Sequence, residues 1–225
     1  MTTPFLPSRE ELRFREAQKT LSNYREMIEG QLAQVPRDLS PEERAALQTQ
    51  FEKLPDVRDA IINIRRANRL YEVEIAFPQV ARRSLVVAVA SAIEEQARVF
   101  CDALHTFRAL PLRWNDLKGN TLDRLHTYAF KLAGLSAPPA TLWERALWLH
   151  EIRNCIVHAN GDVARSRDAK SLRAMVGKFA GYDIDAQGQI LLHEAGGRLA
   201  VDVFTHLFTI LYQEAKLPGT VLPNL

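Results

Sequence analysis

Three side chains suited to phosphodiester chemistry stand close together near the end of one predicted helix: Arg153, Asn154 and His158. Histidine has a reference pKa of about 6.5, so it can take up or release a proton near neutral pH. Arginine carries a permanent charge on a planar fork that matches phosphate oxygens, and asparagine can orient either group by hydrogen bonding. These are the groups needed to cut RNA without a metal ion, by activating a 2′-hydroxyl, neutralising the phosphate and protonating the leaving 5′-oxygen.

The spacing of these residues sets a condition on any site that they share. At about 100° per residue, Asn154 and His158 lie one turn apart on one face, whereas Arg153 and His158 point about 140° from each other. We therefore expect convergence only if the helix unwinds around His158 or if two protomers combine their side chains. The pair Asn160-Gly161, typical of a left-handed helix cap, favours unwinding at this end.

The motif is predicted to lie on a helix that opens at Thr141 and packs against a long apolar helix over residues 80–107. Pro78 interrupts the chain before the long helix, and a shorter helix opens at Asn120 or Thr121 between the two. We expect these helices to form the core that positions the motif.

Beyond the motif, the sequence predicts one small hairpin and one final helix. Polar and apolar residues alternate around Gln187-Gly188, which is typical of two short strands joined by a turn. Gly196-Gly197 is predicted to end the hairpin, and the final helix follows over residues 199–216.

The N-terminal part of the chain is also predicted to be helical. Three helices are predicted there, over residues 8–33, 40–53 and 56–76. The expected fold is therefore all-α with a small β-hairpin before the last helix. Residues 1–78 are expected to be an N-terminal helical extension that packs on a helical core of residues 79–217, and residues 218–225 a loosely held tail.

Composition limits the classes of function. A chain of 225 residues with 47% hydrophobic residues can bury an ordinary core. Its 29 Lys and Arg against 27 Asp and Glu leave a net charge of only +2, so any affinity for nucleic acid must come from a local patch. The most basic stretch follows the motif directly and supplies four candidate RNA-binding residues: Arg165, Arg167, Lys170 and Arg173.

No pattern for a metal or a cofactor is present. The two cysteines, Cys101 and Cys155, have no metal-ligand neighbours at short spacing, and the six histidines form no ligand motif. Glycine-rich nucleotide-binding motifs are absent from the sequence. The most apolar stretch, residues 84–93, is shorter than the roughly 20 residues that cross a bilayer, and the first residues lack the features of a signal peptide. We therefore predict a cytoplasmic protein without metal, cofactor or membrane partner.

The segment from Arg153 to His158 resembles the signature of the HEPN superfamily, which is an arginine, usually a polar residue, and a histidine near a helix end. Residues 149–161 are similar to that family's helix end, residues 91–95 lie on what resembles its partner helix, and the likeness covers residues 80–216. The resemblance implies a HEPN-like bundle and a metal-independent endoribonuclease in phage defence or a toxin–antitoxin pair. It also implies a homodimer whose shared face carries catalytic Arg153, Asn154 and His158, with an antitoxin or regulatory protein as partner.

Each candidate residue also has a structural interpretation. Arg153 would pair with Glu94 or Glu95 of the long helix, because an arginine inside a helical bundle normally has an acidic partner. His158 would cap its helix by bonding a terminal carbonyl. His150, one turn earlier on the motif face, is a supporting candidate.

Two alternatives to a nuclease stay open. The first is a catalytically silent HEPN-like module that binds RNA or a protein, in which the same residues hold the helix end together. The second is a helical regulatory subunit whose charged N-terminal helices bind another protein.

Overall fold

The computed structural model of the protein describes residues 9–34 and 76–217. Within these ranges the fold is mostly helical, as predicted, with one small hairpin. The helices are α1 Arg9–Gln34, α2 Phe77–Arg108, α3 Thr121–His126, α4 Ala140–Ala159, α5 Ala169–Met175 and α6 Glu194–Ala215, and the strands are β1 Tyr182–Ile184 and β2 Ile190–Leu192. The predicted second helix, the third up to residue 75, and the C-terminal tail lie outside the described residues. No helix in the described ranges is both long enough and apolar enough to span a membrane.

The longest of these helices, α2, lies at the centre of the fold and contacts α1, α3, α4 and α6. Its buried side chains recur at helical spacing: Leu85, Val89, Ile93, Phe100 and Leu104. Buried residues also lie between these positions, because helices cover α2 on several sides. α2 therefore provides the surface against which the motif helix α4 is held.

α2 begins earlier than the sequence predicted. Pro78 lies buried in its first turn, whereas the sequence predicted that it would lie before the helix. Proline is tolerated there because first-turn N–H groups have no acceptor within the helix, and its fixed φ suits a helical start. The other end is close to the prediction, since Ala109 adopts a left-handed conformation with a φ of 47° directly after Arg108.

α1 packs along α2 and α6 and shares their apolar core. Phe14 is 1% exposed and contacts Phe204, Phe208 and Tyr212, with ring centroids 5.6, 6.2 and 5.7 Å away. A buried aromatic side chain that packs against other aromatic rings makes one of the larger contributions of any single residue to the stability of the fold. The described part of the N-terminal region is thus joined to the core through its aromatic side chains.

The last helix, α6, begins at Glu194 and so includes Gly196 and Gly197, which the sequence predicted as its boundary. Both glycines are buried. A Cβ atom on Gly196 would lie 2.6 Å from the carbonyl oxygen of Gly181, and one on Gly197 would lie 3.0 Å from Leu85 Cδ2. Close packing of the helix start, and not a chain break, therefore explains the glycine pair.

The predicted hairpin is present, with β1 and β2 antiparallel and Ile184 opposite Ile190. The carboxylate of Asp185 closes the turn, because it accepts hydrogen bonds from the backbone N–H groups of Gln187 at 2.9 Å and Gln189 at 2.8 Å. This small hairpin matters for the site because its second strand bonds to the chain that follows α4.

Candidate functional site

The motif lies in the last turns of α4, which stays helical through Ala159. Asn160 and Gly161 then adopt left-handed conformations, with φ of 54° and 79°, which confirms the predicted cap. Because His158 is still within the helix, the expected unwinding around it does not occur. The separation of about 140° between Arg153 and His158 that helical spacing predicts is therefore retained.

The chain after this cap is tied to the hairpin and to α2. The N–H of Ile190 donates to the carbonyl oxygen of Gly161 at 2.8 Å, and the N–H of Val163 donates to that of Gly188 at 2.9 Å. From α2, Arg83 Nη2 donates to the carbonyl oxygen of Ile190 at 2.6 Å. These bonds hold the segment after Gly161 beside the last turn of α4.

A cleft of about 220 Å³ opens between that segment and the last turn of α4, and it is the candidate site. Its lining residues are Asn154, His158, Ala159, Arg165, Ser166, Arg167 and Asp168. His158 is exposed and Asn154 is half-buried. An imidazole and a carboxamide from the motif are therefore both available to a ligand in the cleft.

Two cations from the basic segment join the motif residues in this cleft. Arg165 and Arg167 are exposed, and neither forms an ion pair with a carboxylate of the described residues. Asp168 also lines the cleft, so the lining contains two arginines and one acidic residue. The other two candidate RNA-binding residues, Lys170 and Arg173, are exposed on α5 and do not line the cleft. Two guanidinium groups beside an imidazole can bind an oxyanion such as a phosphate and exchange a proton with it.

Arg153 is not among the lining residues and faces α2 instead. Its Nη2 lies 3.9 Å from Oε2 of Glu94, which is one of the two predicted partners. Its Nη1 donates to Oδ1 of Asn154 at 3.0 Å. Its Nε is buried and has no hydrogen-bond partner among the residues that the structure describes. Arg153 therefore reaches the cleft only through Asn154.

The two candidate supporting carboxylates lie on different faces of α2. Glu94 faces Arg153, whereas Glu95 is 61% exposed and accepts hydrogen bonds from Arg98 on its own helix, at 2.6 and 3.0 Å. The bond from Arg98 holds the pKa of Glu95 below its ordinary value. Successive helical residues point about 100° apart, so only one of this pair can meet α4. The structure places Glu94 in that position and leaves Glu95 outside the site.

His150 shares Glu94 with Arg153. Its Nδ1 lies 3.8 Å from Oε1 of Glu94, and its side chain is 19% exposed. Burial lowers the pKa of His150, Glu94 acts in the opposite direction, and Arg153 adds to the lowering. Glu94 is thus flanked by one permanent cation and by an imidazole that is mostly neutral at pH 7.

Cys155 lies inside the motif but is fully buried. Burial raises the pKa of its thiol, and a hydrogen bond with Ser166 acts in the opposite direction. A buried thiol held in its neutral form is a packing group and a poor nucleophile. The arrangement thus gives Cys155 a structural role.

Ser166 and Asp168 line the cleft, although the sequence patterns did not predict them as site residues. The feature that indicates them is the Asn160-Gly161 cap, because a left-handed cap turns the chain away from the helix axis and returns it along the last turn. Residues a few positions beyond such a cap are therefore candidates for any site at that helix end.

A second cleft of about 630 Å³ lies away from the motif, between α1, the last turns of α2 and Leu217, which follows α6. Two of its charged lining residues, Arg98 and Asp102, pair with each other at 3.2 Å, and Arg98 also pairs with Glu95. No histidine or cysteine lines it. The smaller cleft at the motif is therefore the stronger candidate for chemistry.

Within the described residues, no group of three or more His, Cys, Asp or Glu side chains is arranged to hold a metal ion. Comparisons of this chain with protein-family models, curated proteins and solved structures found no match.

Proposed function

We propose that the protein is a metal-independent endoribonuclease of the HEPN type, acting in the cytoplasm in phage defence or as the toxin of a toxin–antitoxin pair. One observation carries the proposal: His158 and Asn154 of the motif share a cleft with two arginines, Arg165 and Arg167. The motif resemblance and the mostly helical fold are compatible with it. No cofactor enters the chemistry, and an antitoxin or regulatory protein is the expected partner.

The reaction needs groups that move two protons and one or more cations that neutralise the phosphate. The 2′-oxygen of a ribose attacks the adjacent phosphorus, so that an O–P bond forms while the bond from phosphorus to the 5′-oxygen breaks. The 2′-hydroxyl loses a proton and the leaving 5′-oxygen gains one, which gives a 2′,3′-cyclic phosphate and a 5′-hydroxyl. His158 would carry one of these protons as general base or acid. Arg165 and Arg167 would neutralise the charge that builds on the phosphoryl oxygens.

A homodimer remains part of the proposal, because one imidazole cannot take one proton and give another at the same moment. We place the contact with a second copy at Val157, which is next to His158 on α4 and is 48% exposed. Val157→Glu is expected to shift the protein toward monomer in sedimentation experiments and to reduce activity. Val176→Glu is the matched control, since Val176 is 40% exposed after α5. A protein that is monomeric at all concentrations and still cuts RNA would refute the dimeric site.

The alternative is a catalytically silent HEPN-like module that binds RNA or a protein. A specific observation favours it: Arg153, the arginine of the motif, bonds Asn154 and faces Glu94 instead of lining the cleft. In that case these contacts serve to hold the end of α4 against α2.

Incubation of the purified protein with mixed RNA in EDTA distinguishes the two. A nuclease is expected to release fragments that end in 2′,3′-cyclic phosphate, and His158→Ala should slow this about 100- to 10,000-fold, as loss of a general acid or base does. His206→Ala, which removes an exposed histidine of α6, should cut like the wild type. Intact RNA with the wild type, or equal cutting by His158→Ala, would refute the nuclease and leave the binding module.

A further inference from the structure

The contact between Arg153 and Asn154 fixes which end of the asparagine amide a ligand meets. Arginine has only N–H donors, so the atom of Asn154 that faces Arg153 must be the acceptor Oδ1. The structure has this arrangement, with Nη1 donating to Oδ1 at 3.0 Å. Because Oδ1 is engaged, the Nδ2 amino group, which carries two N–H donors, is the end of the amide left to meet a ligand.

We propose that Asn154 is an anion-binding donor of the cleft and that Arg153 is a positioning residue that sets its orientation. The ligand class is a phosphodiester, and this part rests on the proposed function. Arg165 and Arg167, which line the cleft, supply the positive charge. Arg153 supplies none to the ligand directly, although it is the arginine of the motif.

The surroundings of Arg153 account for this role. Glu94 Oε2 lies 3.9 Å from its Nη2, and its side chain is only 23% exposed. A guanidinium held between the carboxylate of Glu94 and the amide of Asn154 has its charge partly neutralised and its orientation restricted. It therefore restrains the amide of Asn154. Phosphate binding is left to Arg165 and Arg167, which form no ion pair with a carboxylate of the described residues.

The first test measures the amide itself and does not depend on catalysis. The side-chain NH₂ resonances of Asn154 can be assigned by their loss in Asn154→Asp and then followed by NMR in Arg153→Met, which keeps a long side chain but has no donor. We expect these resonances to shift in Arg153→Met and to stay in place in Arg145→Met, which removes an exposed arginine of α4. Unchanged Asn154 resonances in a folded Arg153→Met protein would overturn the positioning role.

The second test uses a single-stranded 2′-deoxy oligonucleotide, which cannot be cut because it lacks the attacking hydroxyl. Its affinity is measured at several salt concentrations. Arg165→Met and Arg167→Met should each reduce the slope of log K against log salt by about 0.7, the value for one phosphate contact on a single strand. Arg153→Met should weaken binding by the same factor at every salt concentration and leave the slope unchanged. If Arg153→Met reduces the slope as Arg167→Met does, Arg153 contacts phosphate and the proposal is wrong.

Two Asn154 variants complete the design. Asn154→Ala removes the donors and should weaken binding about tenfold. Asn154→Asp keeps the acceptor for Arg153 but replaces the donors with a charged acceptor, so it should bind less well than Asn154→Ala. Equal or better binding by Asn154→Asp would mean that Oδ1 faces the ligand, and the proposal would fail.

A double-mutant cycle tests the coupling between the two residues. Adding Arg153→Met to Asn154→Ala should cause little further loss of affinity, because Arg153 acts through the amide that is already gone. Fully additive losses of affinity would refute the claim that Arg153 acts through the amide of Asn154. If the wild-type protein binds no oligonucleotide, the donor role of Asn154 fails, whereas cleavage of RNA in EDTA still decides the nuclease proposal. If it binds and only the Arg153 predictions fail, the nuclease proposal stands without the positioning residue.

Discussion

The guanidinium of Arg83 lies against the backbone of Gly161, so closely that a Cβ atom on the glycine would meet the guanidinium carbon at 2.9 Å. Arg83 cannot move aside freely, because its Nη2 donates to the carbonyl oxygen of Ile190 at 2.6 Å. Gly161 also has a φ of 79°, which disfavours a residue with a Cβ atom. Both its conformation and its neighbour therefore require glycine where the chain leaves α4.

Gly161→Ala is expected to lower the free energy of unfolding by about 2 to 3 kcal/mol, from left-handed strain and a displaced hydrogen bond. Gly188→Ala is the matched control, because Gly188 has a φ of 80° but a Cβ atom there would meet nothing within 4 Å. That control should lose only the strain, about 1 to 2 kcal/mol. Urea unfolding measures both values, and equal losses would show that the contact with Arg83 contributes nothing.

Phe14→Ala should lower the free energy of unfolding by about 3 to 5 kcal/mol, because it leaves a cavity among the aromatic side chains of α6. Leu12→Ala, at a position 47% exposed on α1, should change it by about 0.5 kcal/mol or less. Thermal unfolding followed by circular dichroism is the measurement. If α1 unfolded in a transition of its own and Phe14→Ala left the main transition in place, the shared core would be disproved.

Tyr212→Phe tests a buried hydrogen bond between α2 and α6, in which Gln96 Nε2 donates to the hydroxyl oxygen of Tyr212 at 2.6 Å. The variant leaves the amide of Gln96 buried without that acceptor, so we expect a loss of about 1 to 3 kcal/mol in urea unfolding. Adding Gln96→Met removes the unsatisfied donor and should recover part of the loss. A double variant no more stable than Tyr212→Phe would argue against this explanation.

The lowered pKa of His150 predicts a pH dependence of stability. Between that pKa and its ordinary value of 6.5, the unfolded chain binds more protons than the folded chain. The free energy of unfolding should therefore fall as pH drops through this window. We expect the wild type to lose more stability than His150→Gln between about pH 7 and pH 5. Urea midpoints at the two pH values provide the comparison, and His206→Gln controls for loss of an exposed imidazole. Parallel losses in all three proteins would contradict the prediction.

Elements set by local conformational preference could be predicted from the sequence. The Asn160-Gly161 cap was predicted because both residue types adopt left-handed conformations readily, and the hairpin was predicted from alternation around Gln187-Gly188. In each case the residues that determine the structure are neighbours in the chain, so a single sequence contains the information.

Elements set by packing could not be predicted in the same way. Gly196-Gly197 resembles a helix boundary, yet the pair lies within α6. Glycine is required at position 196 because the chain at Gly181 approaches too closely for a Cβ atom. Pro78 resembles a break, yet it lies in the first turn of α2. Glycine and proline have more than one use in a helix, and only the neighbouring chain decides which use applies.

The candidate site follows the same division. Helical spacing predicted that Asn154 and His158 share a face, and both line the cleft. Spacing also predicted that Arg153 points elsewhere, but not that Glu94 is the partner it faces instead of Glu95. Arg165 and Arg167 lie beside His158 because hydrogen bonds join their segment to the hairpin, which is distant in the sequence. The spacing of apolar residues does not reveal these bonds.

The bond from Ile190 to Gly161 also bears on the order in which the molecule assembles. Local helices form fast, whereas contacts between distant parts of a chain must first overcome the entropy of closing a loop. α4 can therefore be complete, with His158 in place, before the segment carrying Arg167 is fastened beside it. During synthesis the cleft would lack the wall that carries Arg165 and Arg167 until Ile190 leaves the ribosome and bonds to Gly161. For the proposed nuclease, the delay would mean that the complete cleft forms only after most of the chain has been translated.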